Sequence, residues 1–383
     1  MLEDLRRELA GLETRNRLRT LRTISKRRGP FVKIEGRWLL NLASNDYLGL
    51  SAGLEPEEVF EILREFGAGA GASRLLSGNH LYYEILEETL HALYGRPALV
   101  FASGYLANLG VLSGLLGRRD VVFADKLIHA SLIDGLRLSG ASFYRYPHLD
   151  LETLEDLLRK HRSRFRRAVI LTESVFSMDG DFPDLGTVVA LKKRYEAFLM
   201  VDEAHAVGVF GKRGLGLSEE EGLLKEIDLL IGTFGKALGS YGAFVITHEE
   251  VRELLVSRAR SFIFTTALPP VVVAASLRGL KKAVGMERER HKLREISRKL
   301  RGELRLSRGG LQDEVPIVPV IIGEDRKALE VSRRLFEAGF FVPAIRPPTV
   351  PEGTARLRLS LSASMDWSYL EPLIGTLKSL GCV

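Results

Sequence analysis

Between residues 98 and 247 the chain alternates short apolar runs with amphipathic segments. That alternation restricts it to an α/β architecture, a mostly parallel, doubly wound sheet with helices on both faces. The strand candidates are Ala98–Ala102, Val121–Ala124, Ser142–Tyr146, Ala168–Thr172, Phe198–Val201, Leu229–Phe234 and Ala243–Thr247, with helical spacing over Leu151–His161 and Asp184–Glu196 between them. Ligands of such sheets bind beyond the carboxyl ends of the strands, so the residues that end each run are the informative ones. From about residue 276 the character changes. A basic helical region over Glu287–Leu304 precedes strand Pro316–Ile322, helix Arg326–Ala338, strands Phe340–Ala344 and Ala355–Leu361, and a last helix over Trp367–Leu380. These strands alternate apolar and polar residues, which predicts a small C-terminal α+β domain with a sheet covered on one face. The chain is therefore read as an N-terminal helical arm (1–45), a large domain (46–275) and a small one (276–383).

The sharpest strand end is Ile231-Gly-Thr-Phe-Gly-Lys-Ala-Leu-Gly-Ser-Tyr-Gly-Ala-Phe244, with Lys236 the one charge between Asp228 and His248. A lysine in apolar, glycine-lined surroundings has its ammonium disfavoured by desolvation, which frees the neutral amine that Schiff-base chemistry needs. An ordinary lysine on a turn is the alternative. A phosphate-cradling P-loop is excluded, because Leu230 and Ala237 stand where that pattern needs Gly and Ser or Thr.

Other strand ends carry polar residues too. Ser103-Gly-Tyr-Leu-Ala-Asn108 opens a helix with a glycine turn, whose amides at Gly104 and Tyr105 can hold a phosphate; a plain strand-to-helix turn is the alternative. His129 follows the strand ending at Ala124, although a lone histidine is usually a satisfied structural residue. Glu173-Ser-Val-Phe-Ser-Met-Asp-Gly-Asp181 gathers Glu173 and Ser177 at a third end. Asp202-Glu-Ala-His205 ends the fourth; it matches a helicase Walker B box, yet no upstream phosphate loop accompanies it. Gly67–Gly78 is too irregular for a dinucleotide fingerprint and follows no clear strand. Arg346, on the proline-stiffened loop Ala344–Gly353, suits bidentate carboxylate recognition, with a structural salt bridge as the alternative.

Composition leaves the partner question open. Net charge is +6, but 55 basic residues stand against 49 acidic ones, mostly an interspersed solvated surface that also suits an anionic small substrate. The arginine-rich stretch Arg15–Arg28 reads chiefly as a solvated face. The single cysteine, Cys382, a charged N-terminal start and the lack of a long apolar run fit a cytoplasmic protein without membrane spans or metal sites.

Taken jointly, the strand ends describe pyridoxal 5'-phosphate. Asp202 would pair with the pyridine nitrogen, His205 reach the ring hydroxyl, and His129 lie against the ring face. Gly104, Tyr105 and Thr233 would hold the phosphate, and Lys236 would form the Schiff base. The motifs Ser44-Asn-Asp-Tyr-Leu-Gly-Leu-Ser51, Thr172–Asp181, Val201–Gly208, Gly232–Gly239 and Gly353–Ser360, in this order, resemble the α-oxoamine synthases nearly end to end. These are pyridoxal-phosphate enzymes of the aspartate-aminotransferase (type I) fold. The resemblance implies L-alanine and an acyl-CoA or acyl-carrier-protein thioester as substrates, and a homodimer with shared active sites. It implies that Thr265 reaches the phosphate of the neighbouring subunit's cofactor and that Glu173 and Ser177 lie near substrate and ring oxygen. It also puts Arg22, Asn45, Arg346 and Thr349 at the substrates. A nucleic-acid or nucleotide-binding protein, using the basic arm and the Asp-Glu-Ala-His box, is the alternative of another class.

Overall fold

A computed structural model describes residues 1–51 and 53–383. The chain falls into two compact units: residues 50–177 with 181–290, and residues 1–49 with 178–180 and 291–383.

In the larger unit the apolar runs form a seven-stranded sheet of Ala98–Phe101, Asp120–Asp125, Ser142–Tyr146, Arg167–Glu173, Phe198–Asp202, Leu229–Thr233 and Ala243–Ile246. In space the order is 98–101, 243–246, 229–233, 198–202, 167–173, 120–125, 142–146. Strand Ala243–Ile246 is antiparallel to both neighbours and every other pairing is parallel. The central strands are buried almost throughout, because helices cover both faces and leave no side for water. Helix starts are written locally: Asp150 and Asp184 accept hydrogen bonds from the backbone N–H groups of Thr153 (2.9 Å) and Thr187 (3.0 Å). Helix Pro270–Gly285 continues past residue 275 within this unit, whose boundary at residue 290 falls inside the next helix, Glu287–Glu303.

Parallel pairing sets Asp125, Glu173, Asp202 and Thr233 at one edge of the sheet. Ala243 pairs with Thr233, so the turn carrying Lys236 lies at that edge as well. The turn needs glycine. Gly239 has φ +68°, and a Cβ there would lie 2.3 Å from the carbonyl carbon of Leu50.

The smaller unit holds two sheets. Ile24–Arg28, Phe31–Ile34 and Arg37–Asn41 form an antiparallel meander to which Phe340–Phe341 adds in parallel. Ile317–Gly323, Ala355–Ser360 and Ala344–Ile345 form an antiparallel sheet. Two expectations are corrected here. The single strand predicted over 340–344 is two short ones in different sheets. Strand Ala355–Ser360 is buried along its whole length, not on one face. Its polar positions are arginines with partners: Arg356 bonds Asp179 at 2.6 Å, and Arg358 bonds Ser360 Oγ at 2.5 Å and Asn45 Oδ1 at 3.1 Å.

Candidate active site

The phosphate side of the expected site is built from a helix start. Helix Gly104–Leu115 follows strand Ala98–Phe101 at once, and Ser103 caps it by accepting a hydrogen bond from the N–H of Leu106 at 3.2 Å. The first-turn N–H groups have no intrahelical acceptor, and nothing lies within 4 Å of where a Cβ of Gly104 would be, so an anion can approach the backbone closely. Tyr105 is exposed and its hydroxyl bonds Asp134; that bond raises its pKa. Thr233 donates to the Gly242 carbonyl at 2.9 Å and accepts from the Gly235 N–H at 3.1 Å. Its hydroxyl hydrogen is thus used within the turn and reaches a phosphate only after rotating away from Gly242. Thr265 and Ser177 are half-buried.

Charge concentrates at the neighbouring strand ends. Asp202 is buried; Oδ1 accepts from the Ala204 N–H at 2.9 Å and Oδ2 from Asn108 Nδ2 at 3.0 Å. His205 is buried on the turn that follows, and Lys236 is half-buried. His129 is the N-cap of helix Ala130–Ser139, and its backbone N–H donates to Glu173 Oε1 at 2.5 Å. Burial pushes the Glu173 carboxyl well above the usual carboxylate range and Asp202 pushes it further, against the pull of Lys236. Desolvation lowers the pKa of His129, with the Lys236 charge acting in the same sense and Asp202 opposing, so this imidazole is neutral. Glu203, within the same tetrapeptide as Asp202, turns away and accepts from the N–H groups of Leu217 and Ser218, both at 2.9 Å. The larger unit thus brings together an acceptor-only carboxylate, a neutral imidazole, a lysine and an open helix start. This donor set fits pyridoxal phosphate, whose pyridine nitrogen, ring face, aldehyde and phosphate call for those four groups.

In the smaller unit Asn45 accepts from Arg358 and from the Tyr47 hydroxyl (3.3 Å). Arg22, Arg346 and Thr349 line one cavity of about 470 Å³ with Arg19, Phe336 and Phe341. Arg346 bonds the Asn16 carbonyl, Arg19 donates to Thr349 Oγ1 at 2.9 Å, and Arg22 pairs with Glu35 at 3.3 Å while lying 4.6 Å above the Phe336 ring. Arg17 pairs with Asp325 and Glu352. Part of the arginine-rich stretch is therefore partnered and not simply a solvated face.

The family model for aminotransferase class I and II matches residues 37–377. The chain belongs to the aminotransferase class I and II family. Among the relatives of this aminotransferase-family chain is the 8-amino-7-oxononanoate synthase of Chlorobaculum parvum, 47% identical over 99% of this chain and 98% of that one. A serine palmitoyltransferase from S. paucimobilis, solved with a bound PLP–myriocin aldimine, superposes with a TM-score of 0.91 at 30% identity, covering 99% and 98% of the two chains. The 8-amino-7-oxononanoate synthase of Francisella tularensis superposes with a TM-score of 0.75 at 30% identity, over 89% of this chain and 98% of that one. The expected type I fold, a mostly parallel sheet with a smaller α+β part, is the one found. Among the described residues no helix is long and apolar enough to cross a membrane, and no three His, Cys, Asp or Glu residues are grouped to hold a metal ion.

Four polar residues of this aminotransferase-family chain had no role in the sequence reading: Asn108, Ser131, His148 and Arg358. Asn108 lies one helical turn past Gly104 on the same helix. His148 bonds Asp125 at 3.0 Å and Asp181 at 3.2 Å and meets the Phe176 ring edge-on at 4.4 Å. Burial disfavours its cation, but the two carboxylates outweigh that and raise its pKa to about 10. This folded value lies above the ordinary ~6.5 of an unfolded histidine. The stabilisation is therefore complete below about pH 6.5 and is lost as pH rises through 10. His148→Ala is expected to lower stability by about 1.5–3 kcal/mol at pH 6, since the buried Asp125 carboxylate is left with only the backbone N–H groups of Leu127 and Leu149 as donors. Urea unfolding at pH 6 and pH 10 checks this; a difference between wild type and variant that does not shrink at pH 10 would remove the ion-pair explanation.

Proposed function

We propose that this chain makes 8-amino-7-oxononanoate, a step of biotin biosynthesis. It would act as a pyridoxal-phosphate-dependent acyltransferase that joins L-alanine to a pimeloyl thioester, pimeloyl-CoA or a pimeloyl carrier protein, and releases the thiol and carbon dioxide. The observation that carries this reading is the near-full-length match, at 47% identity, to a protein of that name. The bound cofactor supplies an electron sink for the carbanion formed at the alanine α-carbon.

The chain's own residues have distinct tasks in this reading. Lys236 would hold the cofactor, and its free amine would be the base that takes the α-proton of alanine. Asp202 faces the ring nitrogen with a carboxylate whose oxygens accept hydrogen bonds and hold none of their own. His129 forms a wall of the ring site, His205 and Ser177 bond the ring oxygen, and the amides of Gly104 and Tyr105 with Thr233 hold the phosphate. Arg346 recognises the amino-acid carboxylate with Thr349 beside it, Glu173 and Asn45 lie toward the substrate, and Arg22 is near the acyl group.

The protein works as a cytoplasmic homodimer in which Thr265 of one protomer reaches the phosphate held by its neighbour. Supporting an assembly, the larger unit leaves Leu75, Leu76, Leu81, Tyr241 and Phe264 exposed.

The test is thiol release by the cofactor-loaded protein with L-alanine or glycine, each against pimeloyl-CoA, a pimeloyl carrier protein and acetyl-CoA. Release with L-alanine and a pimeloyl thioester alone is the expected result. Release with glycine and acetyl-CoA would move the chain to glycine C-acetyltransferase chemistry on the same lysine. A protein that binds no pyridoxal phosphate and releases no thiol would overturn the enzymatic reading.

A further inference from the structure

Three hydrogen bonds tie Asp202 to His129 through two side chains that the function above leaves unused. Asn108 is 2% exposed and donates both amide hydrogens, to Asp202 Oδ2 at 3.0 Å and to Ser131 Oγ at 2.9 Å. The opposite amide orientation would set its oxygen against the carboxylate. Asn108 Oδ1, buried in turn, has no hydrogen-bond partner. Buried acceptors are seldom left so. An amide that leaves its own acceptor unsatisfied is held in place for what its two donors do.

Ser131 is fully buried. Its Oγ receives one Asn108 hydrogen and lies 2.7 Å from His129 Nδ1. The backbone N–H of Ser131 points at the same nitrogen from 3.2 Å. Two donors therefore converge on Nδ1, the hydroxyl by the shorter bond and the backbone N–H by the longer; a proton there would lose the first and be set against the second, so the hydroxyl carries most of the preference. The imidazole keeps its single proton on Nε2. Protonation of the ring would also remove the acceptor that caps helix Ala130–Ser139.

We propose that Asn108 and Ser131 are positioning residues that act as one chain of hydrogen bonds, holding Asp202 as an acceptor-only carboxylate and His129 as the neutral Nε2–H tautomer. The proposal rests on the reading that Asp202 and His129 flank the cofactor. It assigns His129 a single hydrogen-bond donor, through Nε2, and no basic nitrogen, which leaves proton abstraction to Lys236. It also makes the placement of the Asp202 carboxylate depend on Asn108, whose amide fixes Oδ2 at 3.0 Å.

The experiment is long-range proton–nitrogen NMR of the full chain labelled with 15N-histidine, with and without pyridoxal phosphate. The His129 signals are assigned by their loss in His129→Gln. The wild type is expected to show Nε2–H, and Ser131→Ala, which leaves only the backbone donor, a mixture of tautomers. Asn108→Leu is expected to lower kcat about tenfold to a hundredfold, the loss of one hydrogen bond to a charged group, with KM for L-alanine nearly unchanged. A wild-type ring protonated on Nδ1, or a Ser131→Ala ring still wholly Nε2–H, would overturn the assignment of His129. An effect of Asn108→Leu confined to KM would overturn that of Asp202. The tautomer is read on the chain alone, so a protein that took up no cofactor would sink the functional reading and leave this result to be judged separately.

Discussion

Lys236→Ala is expected to remove turnover, by about 10⁴-fold or more, and to leave the fold unchanged. The size follows from the role: a covalent nucleophile that is also the base has no substitute once its amine is gone. The fold should survive because the turn is held by backbone groups. Gly239 N–H bonds the Lys236 carbonyl at 2.9 Å and Ser240 N–H bonds that of Phe234 at 2.8 Å. Neither needs the lysine side chain. Two measurements separate the role from general damage. Thiol release should vanish while the urea midpoint moves little, since half-buried side chains on turns contribute modestly to stability. Borohydride treatment of the loaded wild type should fix the cofactor to the peptide containing Lys236. Label on another lysine, or normal turnover by the variant, would remove Lys236 from its place.

The central sheet was legible because strands buried on both faces must be continuous apolar runs, and a parallel arrangement then puts their ends together. That is why Glu173, Asp202, Thr233 and the Lys236 turn could be gathered from sequence. What escaped depends on direction and on distant pairing. Asn108 stood inside a quoted motif, but only the packing of helix Gly104–Leu115 aims its amide at Asp202. His148 draws on Asp125 and Asp181, 23 and 33 residues away, and nothing local marks the three as partners. Strand Ala355–Ser360 reads as half-solvated because arginine alternates with apolar residues. Burial of Arg356 and Arg358 becomes intelligible only with Asp179 and Asn45 in view. Likewise Phe340 pairs with Leu40 across most of the chain, a contact no local pattern announces.

Asp202→Asn is the second large effect, and it should divide binding from chemistry. Thr233, the helix start at Gly104 and Lys236 do not depend on the carboxylate, so the variant is expected to take up pyridoxal phosphate. Its kcat should fall by about 10²–10³, the scale for losing a preorganised charge at the site where charge develops. A structural cost accompanies this loss. Asp202 accepts from two donors, the Ala204 N–H and the Asn108 amide, and asparagine has one oxygen to offer them. Leaving one buried donor unsatisfied costs about 1–3 kcal/mol. The two effects can be separated with Asn108. In the double variant Asp202→Asn, Asn108→Asp, a carboxylate again faces an amide, so the part of the stability loss that belongs to this pair should recover, the bond to Ser131 Oγ staying lost, whereas the charge now sits at residue 108. Turnover should stay low, because the ring nitrogen responds to where the charge is and not to whether the pair is satisfied. α-Proton exchange from L-alanine, which reads carbanion formation without the acyl substrate, should follow turnover in both variants. Exchange at the wild-type rate in Asp202→Asn would take Asp202 out of its role, and recovery of exchange in the double variant would show that the position of the charge does not matter.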